Sequence, residues 1–155
     1  MDQAVTIVIA VERLSDQLWD ELNPLLLEHW QEVAQFKDIP LAPDIQKYNA
    51  LDVAGVLKLY TVRVSGALVG YAIFVVGQSL HYVTSKVAQC DVIFLKPEYR
   101  RGSLGVRRIA HTEGDLKAQG VDVLRHHAKI EHPVLGRLLD ARGYIREDII
   151  YARRL

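Results

Sequence analysis

"LKPEYRRGSLG", residues 95–105, decides the fold, because it closes an apolar run and opens a helical one. Gly102 and Gly105 bracket what reads as a first helical turn, and glycine lets a main chain come close to a ligand. The first N–H groups of a helix lack intrahelical acceptors and the macrodipole is positive there. An anion at that point gains hydrogen bonds and about 0.3–2 kcal/mol from the dipole. Lys96, Arg100, Arg101, Arg107 and Arg108 surround the stretch against Glu98 alone. In isolation "RRGSLG" reads first as a solvated turn, so its neighbours must decide.

Outward from this stretch the pattern is consistent. Before it, residues 86–96 form an apolar run, preceded by strand-like runs over 56–64 and 67–76. Ser65 and Gly66 between those two runs signal a tight hairpin. After it, 103–119 has helical spacing and stops at Gly120; 121–129 reads as a strand, 133–142 as a helix ended by Gly143, and "YIREDIIYARRL" as one or two strands. Near the start, 5–11 is a short β-branched strand, and Ser15 caps a helix in which Pro24 predicts a kink or a restart at Asn23. "FKDIPLAPD" is a loop with the character of a lid, and 44–54 a short helix ending near Gly55. Strand, glycine turn, helix is the order a phosphate site requires.

Composition narrows the class. The 155 residues, half of them hydrophobic, suit one domain spanning 1–155. Lys plus Arg and Asp plus Glu balance at 19 each, so no global field steers the chain to nucleic acid or an acidic membrane. The cations of 96–108 are not interleaved with aromatics, which makes nucleic-acid binding the weakest reading. Cys90 alone excludes an intrachain disulfide or a Cys-rich zinc site and fits a reducing, cytoplasmic compartment. The start, with Asp2 and an apolar run only over 4–11, reads as a strand rather than a signal or anchor. No histidine pair has metal-ligand spacing with a third ligand, and no metal is expected.

At this point the chain resembles the GCN5-related N-acetyltransferase family. Leu95, Pro97, Tyr99, Arg100 and Gly105 occupy positions of its V-x-P-x-Y and Q/R-x-x-G-x-G/A signature, while Ser103 stands where the first glycine is expected. "LLDARGY" resembles the family's late L-Y-x-x-x-G-F/Y segment. The overall texture is similar to acetyltransferase-like proteins encoded by tailed bacteriophages, which would place it in a host cytoplasm. The resemblance implies an α+β fold: a mixed, mostly antiparallel sheet of 6–7 strands, about four helices, and a splayed parallel strand pair. It implies acetyl-CoA as cofactor, its pantetheine along the main chain of Ile93, Phe94 and Leu95. The pyrophosphate would lie on the main chain of Arg100, Arg101, Gly102, Ser103, Leu104 and Gly105, and His132 stands where an asparagine often contacts the cofactor.

The implied activity is transfer of an acetyl group to a primary amine by direct attack in a ternary complex. An ammonium has no lone pair, so a base is needed. Asp91, in the otherwise apolar "CDVIFL" on the face of Ile93 and Leu95, is the first candidate, and His81 the second. Cys90, on the opposite face, is not expected to act as a nucleophile. Trp30, Tyr48 and Tyr82 are the candidate acceptor-site residues, with 34–48 as one wall. Leu139 replaces the tyrosine that many family members use to protonate the thiolate, a loss of around a hundredfold in rate. Tyr144 or Tyr82 could substitute for it. A catalytically silent module that binds CoA or another protein is the alternative. The acceptor, a small molecule or a protein, and the state, monomer or homodimer, stay open.

Overall fold

A computed structural model describes residues 4–155; Asp2, used in reading the start of the chain, lies outside the described residues. The elements run β1 (Ile7–Glu12), α1 (Asp16–Val33), α2 (Ile45–Val53), β2 (Leu57–Val64), β3 (Ala67–Gln78), β4 (Lys86–Leu95), a 3-10 turn (Pro97–Tyr99), α3 (Leu104–Ala118), β5 (Val123–Arg125) and α4 (Val134–Ala141). Ser15 caps α1, its side chain accepting from the Leu18 N–H at 3.2 Å. The helix then runs unbroken through Pro24, with no restart at Asn23. Asp20 and Pro24 lie on its exposed side, where water can satisfy the carbonyl that proline leaves without a donor.

The five strands form one sheet in the order β1-β2-β3-β4-β5, antiparallel except for the parallel β4–β5 pair. Ser65 and Gly66 both take positive φ, 47° and 85°, which is the two-residue turn whose twist matches the β2–β3 hairpin. On one face α1 buries Leu18, Trp19, Leu22 and Leu25 against Leu59, Tyr71, Ile73 and Phe94. On the other, Leu116 and Leu104 of α3 cover Phe74, Cys90, Val62 and Leu95. Arg63 reaches Glu12 and Glu21 together, tying β2 to β1 and α1. No helix among the described residues is long and apolar enough to cross a membrane.

Three sequence expectations are corrected. The sheet has five strands rather than six or seven. The run 121–129 yields only Val123–Arg125, because β5 pairs with Val87–Gln89 and then diverges from β4, leaving 126–129 no ladder to join. Residues 144–155 form no strand: Ile145, Ile149, Ile150 and Tyr151 are exposed, and a three-residue edge offers few hydrogen bonds to hold them.

Candidate active site

The site begins where the parallel pair parts. Pairing between β4 and β5 stops at Gln89 and Arg125, and Gln89 then meets the ring of His127 at 3.0 Å. The Lys96 N–H donates to Val69 O at 2.9 Å, so the alternation of an antiparallel ladder turns Phe94 and Lys96 towards β3 and Ile93 and Leu95 away from it. The main chain of Ile93 and Leu95 therefore borders an open notch. Arg108, buried in α3, donates to Phe94 O at 2.6 Å, and its Nε has no partner. Burial lowers its pKa to about 10, so it stays charged at neutral pH.

At the top of the notch Gly102 takes φ 84° with open space around its Cα. Ser103, the N-cap of α3, sits at φ −95°, ψ −4°, a conformation any L-residue adopts, and its hydroxyl makes no capping bond. The first helical N–H to find a backbone acceptor is that of Arg107, on Ser103 O at 2.9 Å, so the N–H groups of Leu104 to Val106 have no acceptor of that kind. The replaced glycine thus introduces no backbone strain. Arg101 and Arg107 are exposed and form no ion pair among the described residues.

Arg100 does not belong to that free set. Its guanidinium forks onto Glu32 at 2.7 and 2.6 Å, its Nε donates to Leu95 O at 2.7 Å, and it lies over the Phe94 ring. The pair fixes the end of β4 against α1. Glu32 is held below the usual carboxylate range chiefly by this hydrogen bonding. Lys96 is likewise taken, by Glu28 at 3.9 Å.

Asp91 is the bulged residue of β4: Ile73 pairs with Val92 and Phe74 with Cys90, leaving Asp91 without a partner. The extra residue breaks the alternation expected from the sequence. Asp91 does not share a face with Ile93 and Leu95. It turns to the α1–α2 side, where the Tyr48 hydroxyl donates to its carboxylate at 2.5 Å. Val92 packs on that same side, whereas Cys90 and Ile93 belong to the α3-side cluster. Burial, then the Asp91 hydrogen bond, pushes the Tyr48 pKa up, so the phenol keeps its proton.

Beside this pair lie His29 and Tyr71, which the sequence reading did not assemble. Tyr71 Oη and His29 Nδ1 are 2.9 Å apart, and the imidazole stacks on Phe94 with centroids 5.0 Å apart. Burial lowers the His29 pKa to about 4, so its ring is neutral and shares a hydrogen bond with the Tyr71 hydroxyl. A tyrosine in the middle of an apolar strand was the available signal, because a buried phenol needs a polar partner.

His81 and Tyr82 sit on the exposed 79–85 loop at the opposite end of β4 from the glycine turn, and they are not brought together with Asp91. Trp30 is occupied by Lys37, whose ammonium lies 4.9 Å from the indole centroid. His132 is half-buried just before α4. Leu139 is buried. Tyr144 donates to Glu113 at 2.9 Å and packs on His126. The Cys90 thiol is pushed up to about 12 by burial, which removes it as a nucleophile.

No family model matches the sequence, and no curated protein matches it either. Solved structures do. Ribosomal-protein-alanine N-acetyltransferase from Brucella melitensis biovar Abortus 2308 superposes with TM-score 0.73 at 19% identity, over 97% of this chain and 99% of that one. The aminoglycoside acetyltransferase meta-AAC0020 from an uncultured soil metagenomic sample, solved with trehalose, gives TM-score 0.76 at 14% identity, over 96% and 95%. Aminoglycoside N-acetyltransferase AAC(6')-Iy, solved in complex with CoA, gives 0.74 at 16%, over 99% and 98%. With its mixed five-stranded sheet, parted parallel pair and four helices, the chain has the fold of these acetyltransferases.

Proposed function

We propose that the chain is an acetyl-CoA-dependent N-acetyltransferase acting on a primary amine. The observation that carries this reading is the continuity of the unpaired edge of β4 at Ile93 and Leu95 with the open N-terminus of α3 behind Gly102. The likeness to N-acetyltransferases, one of them solved with CoA, supports it. A pantetheine extends an edge as a strand would, and a pyrophosphate needs the N–H cradle of 103–106. Ser103 adds a free hydroxyl donor, and Arg101 and Arg107 add exposed charge.

Acetyl-CoA supplies an acetyl carbon activated as a thioester. The Leu95 N–H, directed away from β3, is a fixed donor for a carbonyl oxygen, an arrangement worth about 3 kcal/mol. Asp91 takes the proton that an acceptor ammonium must lose before its nitrogen can bond to carbon. Tyr48 fixes that carboxylate from α2, and the neutral His29–Tyr71 pair offers the same cleft an uncharged wall with polar tips. The acceptor enters from the α1–α2 side, between Tyr48 and the 34–44 loop. A cytoplasmic location is part of this reading, and the single free Cys90 is compatible with it.

A silent CoA-binding module is the second reading. It is favoured by the buried Leu139, which stands where the resemblance expects a tyrosine, and by the commitment of the Tyr144 hydroxyl to Glu113. Titration with CoA and an assay of thiol release across an amine panel separate the two. Thermal stabilisation by CoA with amine-dependent thiol release is the expected result. Stabilisation without release would leave the silent module, and no stabilisation at millimolar CoA would overturn both.

A further inference from the structure

Arg108 is a buried cation with no counter-charge. It projects from α3 onto β4, where its Nη1 donates to Phe94 O at 2.6 Å, and it is 5% exposed. It forms no ion pair among the described residues, and Arg100, the other cation acting on it, is already neutralised by Glu32. The remaining titratable groups that sense it are Cys90 of β4, His29 of α1 and His126 after β5, all uncharged at neutral pH. Arg108 Nε and the two ring nitrogens of His126 are the only buried side-chain polar atoms without a partner among the described residues. His126 directly follows β5 and Phe94 lies between Ile93 and Leu95, so these unspent groups stand on the two sides of the parted strand pair.

Burying a charge is costly unless it is paired, and removing a partner leaves that cost unrelieved. Here the guanidinium keeps its proton at neutral pH and the chain supplies no acid to meet it. A cation left unpaired in the resting molecule keeps its whole field for a negative charge that appears only during reaction. The proposed acetyl transfer creates such a charge beside it. The amine nitrogen bonds to the acyl carbon, the carbon–sulfur bond breaks with its electron pair on sulfur, and the new amide nitrogen gives its extra proton to water. The sulfur departs as a thiolate unless an acid meets it. Leu139 has no proton to give, and the Tyr144 hydroxyl donates its own to Glu113.

We propose that Arg108 stabilises this thiolate by its charge, in place of a proton donor. The guanidinium is fixed by Phe94 O, so its field is in position before the bond breaks and nothing has to reorganise as the charge forms. The inference rests on the acetyl-CoA reading of the site, and it gives a side chain a role where that reading used the main chain of β4.

Titrating the thiol of bound CoA tests it, followed by the ultraviolet absorbance of the thiolate with the protein saturated. A neighbouring opposite charge shifts a pKa by about 1–3 pH units, so CoA on the parent protein should ionise that far below free CoA in the same buffer. Cys90, pushed up to about 12, stays silent in that window. In Arg108→Met the midpoint should return to the free value, and Arg108→Lys, which keeps the charge, should restore part of the shift. With acetyl-CoA and an accepted amine, Arg108→Met should lose about 10²-fold in kcat with little change in KM. If Arg108 only ties Phe94 in place, Arg108→Met would weaken CoA binding while the thiol titrated alike in both proteins, and that result would overturn the proposal. So would a parent whose bound thiol ionises at or above the free value, a result that needs no variant to fold. CoA that binds with an unshifted thiol leaves the acetyltransferase reading standing, whereas a protein that binds no CoA overturns both.

Discussion

The Tyr48 hydroxyl donates to the Asp91 carboxylate across 2.5 Å, joining α2 to the one unpaired residue of β4. If Asp91 is the base, Asp91→Asn should reduce amine-dependent thiol release by about 10²–10⁴-fold, the usual worth of general base catalysis. CoA affinity should be unchanged, because the cofactor reading uses main chain further along β4. Tyr48→Phe keeps the carboxylate but frees it, and should cost roughly 10- to 100-fold, the worth of a hydrogen bond to a charged group. Unaltered turnover in Asp91→Asn would transfer the role elsewhere, with the neutral His29 next in line.

Gly70 of β3 lies where β4 approaches most closely. A Cβ there would come within 2.8 Å of Leu95 Cδ1 and 2.9 Å of Phe94 O. The carbonyl is backbone and cannot turn aside, so Gly70→Ala should push β4 outward at the residues bordering the notch. A loss of about 1–3 kcal/mol is expected by chemical denaturation, as for overpacked cores generally. CoA affinity should fall with it. An alanine protein with unchanged stability and affinity would show that β4 yields there without cost.

His29 and His126 set an acid limit on stability. Burial lowers both from 6.5 to about 4. Between those values the unfolded chain binds more protons than the folded one, so stability present above 6.5 is lost as pH falls towards 4. Glu21, Glu32 and Glu113, each lowered from 4.5 first by an arginine hydrogen bond, extend the loss below that value. Calorimetry should show the melting temperature falling from neutral pH downwards. His126 packs between Phe74 and Tyr144 with both ring nitrogens unpaired, so His126→Phe should raise stability and flatten the slope above pH 4. An unchanged slope would mean that His126 takes up its proton inside the fold.

Local chemistry made much of this legible. Ser65-Gly66 announces the hairpin, Ser15 the start of α1 and Gly120 the end of α3, because each needs only its own backbone angle or side-chain bond. The bulge at Asp91 was invisible, since period-2 alternation carries no record of an inserted residue. That single slip reversed the expected face of the candidate base and gave it Tyr48 as partner. Arg100 looked like a cation for an anion site, but Glu32, 68 positions earlier, claims it. The unformed strand at 144–155 has ample β propensity and no ladder to join.

The short seam between β4 and β5 also has a mechanical meaning. Three residue pairs stitch it, whereas nine run between β3 and β4. The sheet is therefore stiff from β1 to β4 and jointed at its last strand, with β5 and everything beyond it riding on the joint. Amides of Val123 to Arg125 should trade their hydrogens with solvent well before those of Ala72 or Phe74, as the weaker of two cooperative units. What widens the notch and what frays first are the same three rungs.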